Sequence, residues 1–308
     1  MGKTAFVFPG QGSQFVGMGK DLFDNSPEAK AVFEKFDLIT GKNISKICFE
    51  GPEEDLKQTQ NTQPAILAVS IAALEALRSK TNITPDFAAG HSLGEYGALY
   101  CAGVLSLEDT IKLITKRAEL MGQISGGTMS AVLGLSEDKL NEVLEKAQEF
   151  GVVSAANYNT PEQIVITGEV QAVEKANELL REAGAKRVIP LAVSGAFHSS
   201  LMKDAAAQYN AFVQEAQVND AVIPVITNVD AKATVIAEEF KTKMPEQIYS
   251  SVHWTQTLEI FEANNVSTII EIGPNKILAG MVKKTLKDVN VYNASDMQSI
   301  RHIGMSVS

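Results

Sequence analysis

Short apolar runs alternate with helix-like stretches along most of the chain, and this alternation restricts the fold more than any other feature of the sequence. Residues 4–8 form an apolar run that ends in a Pro-Gly loop, residues 62–79 carry apolar side chains at helical spacing, and residues 86–90 form a second brief run. Strands separated by helices pair in parallel, because the helix returns the chain across the sheet. The sequence therefore predicts an α/β, hydrolase-like domain with a parallel sheet.

The pattern changes after Gly126 and Gly127, where shorter elements follow one another closely. Their order is strand, helix, strand, strand, helix, strand, at residues 128–134, 136–150, 152–156, 163–167, 170–183 and 186–193. This order is typical of the ferredoxin-like α+β unit. We therefore predict an inserted ferredoxin-like subdomain at residues 128–196, within a large α/β domain formed by residues 1–127 and 197–308. The large domain is expected to resume with a helix at 198–215 and strands at 222–228, 268–272 and 289–293.

The composition argues against several classes of function. Of the 308 residues 45% are hydrophobic and 6% are aromatic, and the formal net charge is −10. Such a chain lacks the cationic face and the stacking rings that nucleic-acid binding requires. No apolar stretch approaches the ~20 residues of a membrane span, and the apolar run near the N-terminus is too short for a signal peptide. The two cysteines, Cys48 and Cys101, cannot form a disulfide framework, so we expect a cytoplasmic protein.

The segment Gly90-His91-Ser92-Leu93-Gly94 fits a nucleophile elbow, in which a serine sits on a sharp turn between a strand and a helix. The same motif could also form a tight glycine turn that carries a surface serine without a catalytic role. The position favours the elbow, because a buried strand is predicted before it and a helix of small residues after it. A helix that begins at Ser92 also brings backbone N–H groups and a positive dipole end beside the hydroxyl.

A serine needs a general base to act as a nucleophile at neutral pH, and the chain has four histidines. His91 lies inside the elbow, where its side chain cannot easily face the hydroxyl of its neighbour, and His302 lies in a polar C-terminal tail. His198 follows Ser194-Gly195-Ala196-Phe197, where the chain is predicted to return from the subdomain to the large domain. We favour His198 as the base and keep His253 as the alternative.

The helix predicted to start at Ser106 carries a cation on an unexpected face. On a helical wheel, Arg117 lies between Met121 and Leu113 at the margin of the buried sector, apart from the other charged residues. A desolvated guanidinium is costly unless it is paired, and its planar fork matches a carboxylate. Two interpretations remain open: an internal salt bridge, or a carboxylate that the substrate supplies.

The loop after the first strand, Pro9-Gly10-Gln11-Gly12-Ser13, only partly matches a nucleotide-binding loop. A dinucleotide fingerprint would need a glycine where Phe15 stands, and a phosphate loop would need a lysine where Met18 stands. What remains is a loop at a strand end, with the amide of Gln11 as a hydrogen-bond donor. An oxyanion hole needs such a donor.

These residues resemble a known family, the malonyl-CoA:acyl carrier protein transacylases of bacterial fatty-acid synthesis, and the related acyltransferase domains of polyketide synthases. The resemblance spans essentially the whole chain. It rests on eight motifs in order: Phe8-Pro9-Gly10-Gln11-Gly12-Ser13-Gln14, Gln63-Pro64-Ala65, Gly90-His91-Ser92-Leu93-Gly94-Glu95, Lys116-Arg117, Ala156-Asn157-Tyr158-Asn159-Thr160-Pro161, Gly195-Ala196-Phe197-His198-Ser199, Val252-His253-Trp254 and Glu271-Ile272-Gly273-Pro274. Each motif is modest, but the ordered set is specific.

The resemblance implies a role for each residue of the catalytic centre. Ser92 would be the nucleophile and His198 the base, with the amide of Gln11 and the backbone N–H of Leu93 as the oxyanion hole. The family orients its histidine through a backbone carbonyl near the Val-x-Trp motif, which implies a backbone role for His253. A histidine at this variable position is the one departure from the family pattern that we note.

The resemblance also implies the substrates. Arg117 would bind the free carboxylate of the malonyl group, Gln63 would line the same pocket, and Asn159 would line the cleft between the domains. Phe197 matches the malonyl-type rather than the methylmalonyl-type signature. The expected function is a ping-pong transfer of malonyl from malonyl-CoA to the phosphopantetheine thiol of holo-acyl carrier protein, by a monomer that uses no metal or other cofactor.

Three alternatives remain at this point. A serine thioesterase would use the same serine and histidine but would have no use for a cation in its acyl pocket. An acyltransferase of polyketide synthesis could take another extender unit, and a non-catalytic module could bind the carrier protein without catalysis. Carrier proteins are usually acidic, so docking on this acidic chain would need a local basic patch. The candidates are Lys283-Lys284-Lys287 and Lys186-Arg187.

Overall fold

The computed structural model describes residues 2–193 and 195–307, which form two β-sheets surrounded by helices. The strands are β1 (Lys3–Phe8), β2 (Phe87–Gly90), β3 (Gly127–Leu133), β4 (Val153–Thr160), β5 (Gln163–Glu169), β6 (Arg187–Pro190), β7 (Val225–Ile226), β8 (Ala233–Thr234), β9 (Val266–Ile272) and β10 (Asn290–Ala294). The α-helices are α1 (Lys20–Asn25), α2 (Pro27–Thr40), α3 (Ile44–Glu50), α4 (Glu53–Lys57), α5 (Thr59–Lys80), α6 (Glu95–Cys101), α7 (Leu107–Gly122), α8 (Glu137–Ala147), α9 (Val170–Glu182), α10 (Lys203–Glu215), α11 (Ala237–Gln247), α12 (Trp254–Ala263), α13 (Ile277–Thr285) and α14 (Met297–Ser306). Short 3₁₀ turns occur at Ser92–Gly94, Gln148–Phe150 and Ser200–Met202.

The larger sheet has the order β10-β9-β1-β2-β7-β8, with parallel neighbours except for β7 and β8. Side chains alternate across β1: Phe6 and Phe8 pack into one hydrophobic core, and Ala5 and Val7 into another. Helix α5 lies in the first core and is buried along most of its length. Both faces of the sheet are therefore covered, and the loops that follow β1 and β2 meet at the carboxyl edge, where α/β sheets bind ligands.

The smaller sheet has the order β4-β5-β3-β6 with antiparallel neighbours. Its elements follow the order β3-α8-β4-β5-α9-β6, and α8 and α9 share a core with the sheet through Leu140, Val173 and Ile166. The predicted α/β fold class with an added antiparallel sheet is thus confirmed. The division into two domains at residues 128 and 196 stays a prediction, and Ser194, near its second boundary, lies outside the described residues.

Several element bounds differ from the prediction. The helix expected from residue 198 begins at Lys203, because His198 has a positive φ of 59° and a 3₁₀ turn follows it. The strand expected at residues 222–228 contains only Val225–Ile226, and Pro224 before it has no N–H to donate to a ladder. Strand β4 continues to Thr160, beyond the predicted end at residue 156.

The C-terminal segment is a helix rather than a polar tail. Helix α14 starts with a capping box between Asp296 and Ser299, and His302 lies exposed on it. Its apolar side, with Ile300 and Ile303, is buried in the core beside α5. Within residues 2–193 and 195–307, none of the helices is long and apolar enough to cross a membrane.

Candidate active site

The turn at Ser92 joins β2 to α6 and requires glycine on both sides. A Cβ atom at Gly90 would collide with the main chain of Gly94, and one at Gly94 would collide with the carbonyl of Phe8. Ser92 itself has a φ of 53°, a conformation that costs a residue with a side chain about 1 kcal/mol or more. The chain thus forms the strained strand–turn–helix unit that the elbow pattern predicts.

The hydroxyl of Ser92 lies 2.8 Å from Nε2 of His198. The other ring nitrogen, Nδ1, donates to the main-chain carbonyls of Gln247 and Ser250, at 2.9 Å and 3.0 Å. A proton held on Nδ1 leaves Nε2 free to accept the serine proton. Burial and the nearby Arg117 guanidinium lower the pKa of His198 to about 3, so the imidazole is neutral at pH 7. This pair has the geometry of a nucleophile and its general base.

The carbonyls that orient this imidazole are not the expected one. The backbone role assigned to His253 is wrong, because its carbonyl accepts hydrogen bonds from the N–H and the hydroxyl of Thr257. Its own ring stacks on Tyr158, with ring centroids 5.2 Å apart. The orienting carbonyls belong to Gln247 and Ser250, which precede the Val-x-Trp motif. A main-chain carbonyl has no signature in the sequence, so the motif could locate the segment but not the residue.

Arg117, on α7, is 1% exposed, and its hydrogen bonds go to three neutral oxygens. Nη1 donates to Oε1 of Gln63 at 2.6 Å, and Nη2 donates to Oε1 of Gln247 at 2.8 Å and to the Ser92 hydroxyl at 3.1 Å. Nε has no partner, and no carboxylate in the described part of the chain forms an ion pair with this side chain. The internal salt bridge that the sequence left open is therefore not found there. A buried cation lies beside the nucleophile without an anionic partner.

A cavity of about 550 Å³ opens at the turn and has the size of a small-molecule site. The predicted site residues that line it are Gln11, Gln63, Ser92, Leu93, Arg117, Asn159 and His198. Other lining residues include His91, Phe197 and, on α13, Ile277, Leu278 and Met281. Among the residues described, no three His, Cys, Asp or Glu side chains are grouped so that they could hold a metal ion.

Gln11 and Leu93, the two residues predicted to form an oxyanion hole, both line this cavity. Neither the amide of Gln11 nor the N–H of Leu93 has an acceptor within the described residues, so both are available to a ligand oxygen. Asn159 has a different contact: its Oδ1 accepts a hydrogen bond from Nε2 of His91 at 2.8 Å. This bond connects β4 of the small sheet to the residue before Ser92.

The model of the acyl transferase domain family matches residues 5–306. The chain belongs to the acyl transferase family. This acyltransferase is 46% identical over 304 residues to the malonyl CoA-acyl carrier protein transacylase of Bacillus subtilis (strain 168), with 97% of this chain and 96% of the relative covered. The solved acyl carrier protein S-malonyltransferase from Vibrio cholerae has a TM-score of 0.95 at 40% identity, over 98% of this chain and 99% of the other. A malonyl-transacylase solved in complex with a type II PKS acyl-carrier protein has a TM-score of 0.96 at 36% identity, over 99% and 100%.

The acyltransferase also has a buried polar network beneath the elbow that the sequence analysis missed. Asn228 and Gln247 both make hydrogen bonds to the main chain of Ser92, from positions 136 and 155 residues away. Glu95 joins them through the N–H of Asn228 at 2.6 Å. Only Glu95 has a signal in the sequence, as the last residue of the elbow motif. The two amides lie in segments without a distinguishing pattern.

Proposed function

We propose that this acyltransferase carries the malonyl group from malonyl-CoA to the phosphopantetheine thiol of holo-acyl carrier protein, through a malonyl ester of Ser92. The observation that carries the proposal is the buried guanidinium of Arg117, which lies 3.1 Å from the Ser92 hydroxyl and pairs with no carboxylate in the described chain. In a malonyl thioester a single methylene separates the free carboxylate from the carbonyl that a serine attacks. The names of the relatives and solved neighbours support the same substrate and partner.

In the first half-reaction Ser92 Oγ attacks the thioester carbonyl of malonyl-CoA while Nε2 of His198 accepts the hydroxyl proton. The carbonyl oxygen becomes an oxyanion, which the amide of Gln11 and the N–H of Leu93 would stabilise. When this intermediate collapses, the carbon–sulfur bond breaks and His198 gives the proton to the departing CoA thiolate. The product that remains is the malonyl–serine ester.

In the second half-reaction the phosphopantetheine thiol of the carrier protein gives its proton to His198 and attacks the ester carbonyl. The same two donors hold the second oxyanion. The bond between the carbonyl carbon and Ser92 Oγ then breaks, and His198 returns the proton to the serine oxygen. Serine, histidine and two hydrogen-bond donors account for every bond and proton, so the proposed reaction uses no metal or redox cofactor.

Selection of the acyl group is assigned to Arg117, with Gln63 and Asn159 as further parts of the acyl pocket. An acetyl group would leave the buried cation without a partner, whereas a malonyl carboxylate would pair with it. A thioesterase would gain nothing from this cation, which is why we place hydrolysis below acyl transfer. Phe197 in the cavity wall supports malonyl over a branched extender unit.

An acidic carrier protein would dock where positive charge lies close to the cavity. Helix α13 contributes Ile277 and Met281 to the cavity wall and carries the exposed Lys283 and Lys284 in its last turn. We favour this patch over Lys186-Arg187 because it shares one helix with the cavity. We further propose that this acyltransferase is a cytoplasmic monomer.

The test is mass spectrometry of the intact protein and its peptides after brief exposure to malonyl-CoA, with acetyl-CoA in parallel. We expect a malonyl-sized increment on the peptide that contains Ser92, a much weaker one with acetyl-CoA, and removal of the increment by holo-carrier protein. Ser92→Ala should abolish the adduct. Ser70→Ala, at another buried serine, should leave it unchanged and serves as the matched control.

Other outcomes would point elsewhere. Rapid release of free malonate without carrier protein would indicate a hydrolase. An adduct that persists in Ser92→Ala would mean that another residue is the nucleophile. For the docking patch, the double substitution Lys283→Glu and Lys284→Glu should raise KM for the carrier protein and leave KM for malonyl-CoA unchanged, and Lys186→Glu should do neither.

A further inference from the structure

The side chain of Asn228 bridges the two ends of the nucleophile turn. Asn228 lies shortly after β7 and is fully buried. Its Oδ1 accepts a hydrogen bond from the Ser92 N–H at 2.8 Å, and its Nδ2 donates to the Gly90 carbonyl at 2.6 Å. One carboxamide therefore satisfies the main-chain groups on either side of His91.

This bridge begins where the pairing of the sheet ends. The parallel ladder between β2 and β7 stops at the pair of Ala89 and Ile226. A carboxamide has the same donor and acceptor as a peptide group, so the side chain of Asn228 continues the ladder beyond the last backbone pair. The strained turn thereby remains attached to the sheet although the neighbouring strand has already ended.

Asn228 is itself held through both of its main-chain polar atoms. Its N–H donates to Oε2 of Glu95 at 2.6 Å, and its carbonyl accepts a hydrogen bond from the His253 N–H at 3.1 Å. Glu95 is the first residue of α6. Glu95, on the helix that follows the turn, therefore holds Asn228 in place. The side chain of Asn228 in turn binds Gly90 at the end of the strand that precedes the turn.

The bridge bears on both parts of the proposed chemistry. It fixes the backbone of Ser92 at a φ of 53°, the conformation in which Oγ lies 2.8 Å from Nε2 of His198. It also occupies the N–H of Ser92, while the next N–H, that of Leu93, has no acceptor within the described residues and stays available to an oxyanion.

We propose that Asn228 is a positioning residue for acyl transfer, which sets the geometry of the nucleophile and of the oxyanion hole without contacting the substrate. The inference rests on the serine mechanism of the proposed function and not on the identity of the acyl group. It predicts a loss of reactivity that is the same for every acyl donor, because the residues that recognise the acyl group are not altered.

The experiment compares Asn228→Ala with the wild-type protein in three assays. We expect the first-turnover rate of acyl–serine formation to fall roughly 10- to 100-fold, since a displacement of about 1 Å at a reacting group has effects of this size. The dissociation constant of malonyl-CoA and the preference for malonyl-CoA over acetyl-CoA should stay within about twofold. Labelling of Ser92 by an uncharged phosphonofluoridate probe should fall by the same factor as acylation.

Asn177→Ala is the matched control. Asn177 is also a buried asparagine, but it lies on α9 beside the small sheet. This variant should keep the wild-type rates of acylation and labelling. Thermal unfolding of both variants shows whether either rate reflects a loss of folded protein.

A measurement on the unmodified protein covers the case in which Asn228→Ala does not fold. Hydrogen exchange should show the Ser92 amide protected by the carboxamide bridge. Exchange of that amide at the rate of an unstructured peptide would overturn the proposal. The proposal would also be overturned if folded Asn228→Ala were labelled at Ser92 at the wild-type rate. A change in the preference of this variant between malonyl and acetyl donors would overturn it too. If the wild-type protein is not labelled at Ser92, the proposed serine mechanism fails, and the positioning role fails with it.

Discussion

Arg117 donates a hydrogen bond to the hydroxyl of Ser92 at 3.1 Å. The buried cation and the nucleophile are thus in direct contact, and a malonyl group, with its carboxylate and its reactive carbonyl on the same methylene, can reach both. Recognition of the acyl group is assigned to Arg117 and attack on it to Ser92, and the two side chains are hydrogen-bonded to each other. Substitutions at the two residues should nevertheless separate them, because Arg117 contributes to recognition and Ser92 to bond formation.

Replacement of Arg117 tests recognition. Arg117→Ala should lower kcat/KM for malonyl-CoA more than roughly a hundredfold, because removal of one partner from a buried charge pair costs about 3 kcal/mol or more. The value for acetyl-CoA should change much less. Lys116→Ala is the control, since Lys116 is the neighbouring cation and pairs with Glu119 on the outer side of α7. An unchanged preference for malonyl in Arg117→Ala would remove this residue from the acyl pocket.

The pH dependence of acylation tests the state of His198. A general base acts when it is neutral, and burial together with Arg117 lowers the pKa of His198 to about 3. Rapid-quench measurements of acylation between about pH 5 and pH 8 should therefore show no loss of rate as the pH falls through the ordinary histidine value near 6.5. In Arg117→Ala the acid limb should move to higher pH. Fluorescence of Trp254 reports whether the fold survives at each pH, and an acid limb near pH 6.5 in the wild-type protein would contradict the assignment.

The free energy of unfolding should depend on pH through the buried carboxyl of Glu95. Burial raises the pKa of Glu95 to about 7 despite the hydrogen bond from the Asn228 N–H, so the fold favours the protonated form. Relative to Glu95→Gln, the wild-type protein should lose stability as the pH rises from about 4.5 to about 7, by up to roughly 3 kcal/mol. Urea unfolding of both proteins at pH 5 and pH 8 measures the difference. A difference that is equal at the two pH values would mean that Glu95 is ionised throughout this range.

Two glycine substitutions should have opposite effects. Gly94→Ala should destabilise the protein and abolish acylation, because its Cβ would overlap the carbonyl of Phe8. Gly280→Ala, on the exposed side of α13, would place its Cβ in open space, away from every other described part of the chain except the backbone of its own helix. Alanine is the better helix former by about 1 kcal/mol, so this variant should unfold at higher urea concentration. Equal effects of the two substitutions would contradict the close packing of the turn.

The sequence could reveal those site residues whose side chains do chemistry. Ser92 stands in a turn pattern with glycines on both sides, and Arg117 breaks the amphipathic pattern of its helix, so each differs from its surroundings. His198 could be selected because a chain with four histidines offers few alternatives. The parallel sheet and the antiparallel insert followed from hydrophobic periodicity, which reports which faces are buried. The catalytic roles of these residues stay predictions.

The sequence could not reveal residues that act through the main chain or through an amide. The carbonyls of Gln247 and Ser250 are chemically the same as every other carbonyl in the chain, so nothing marked them, and His253 was chosen in error. Asn228 is one asparagine among many, and it reaches Ser92 only after the chain has folded back across 136 residues. The short length of β7, by contrast, did have a signal, because Pro224 lies within the apolar run and has no N–H to donate to the ladder.

The chain enters the small sheet at Gly127 and leaves it near Ala196, and these two points are in contact, because a Cβ at Gly127 would overlap Ala196. A segment whose ends meet at one seam can be exchanged without stretching the rest of the chain. This segment lines one side of the cavity through Met129 and Val165. Ser92, at the end of a strand of the parallel sheet, lines the cavity as well. Changes in the length of this segment therefore need not move the parallel sheet, whereas acceptance of a different acyl group would also require a change at Arg117, which lies outside the segment.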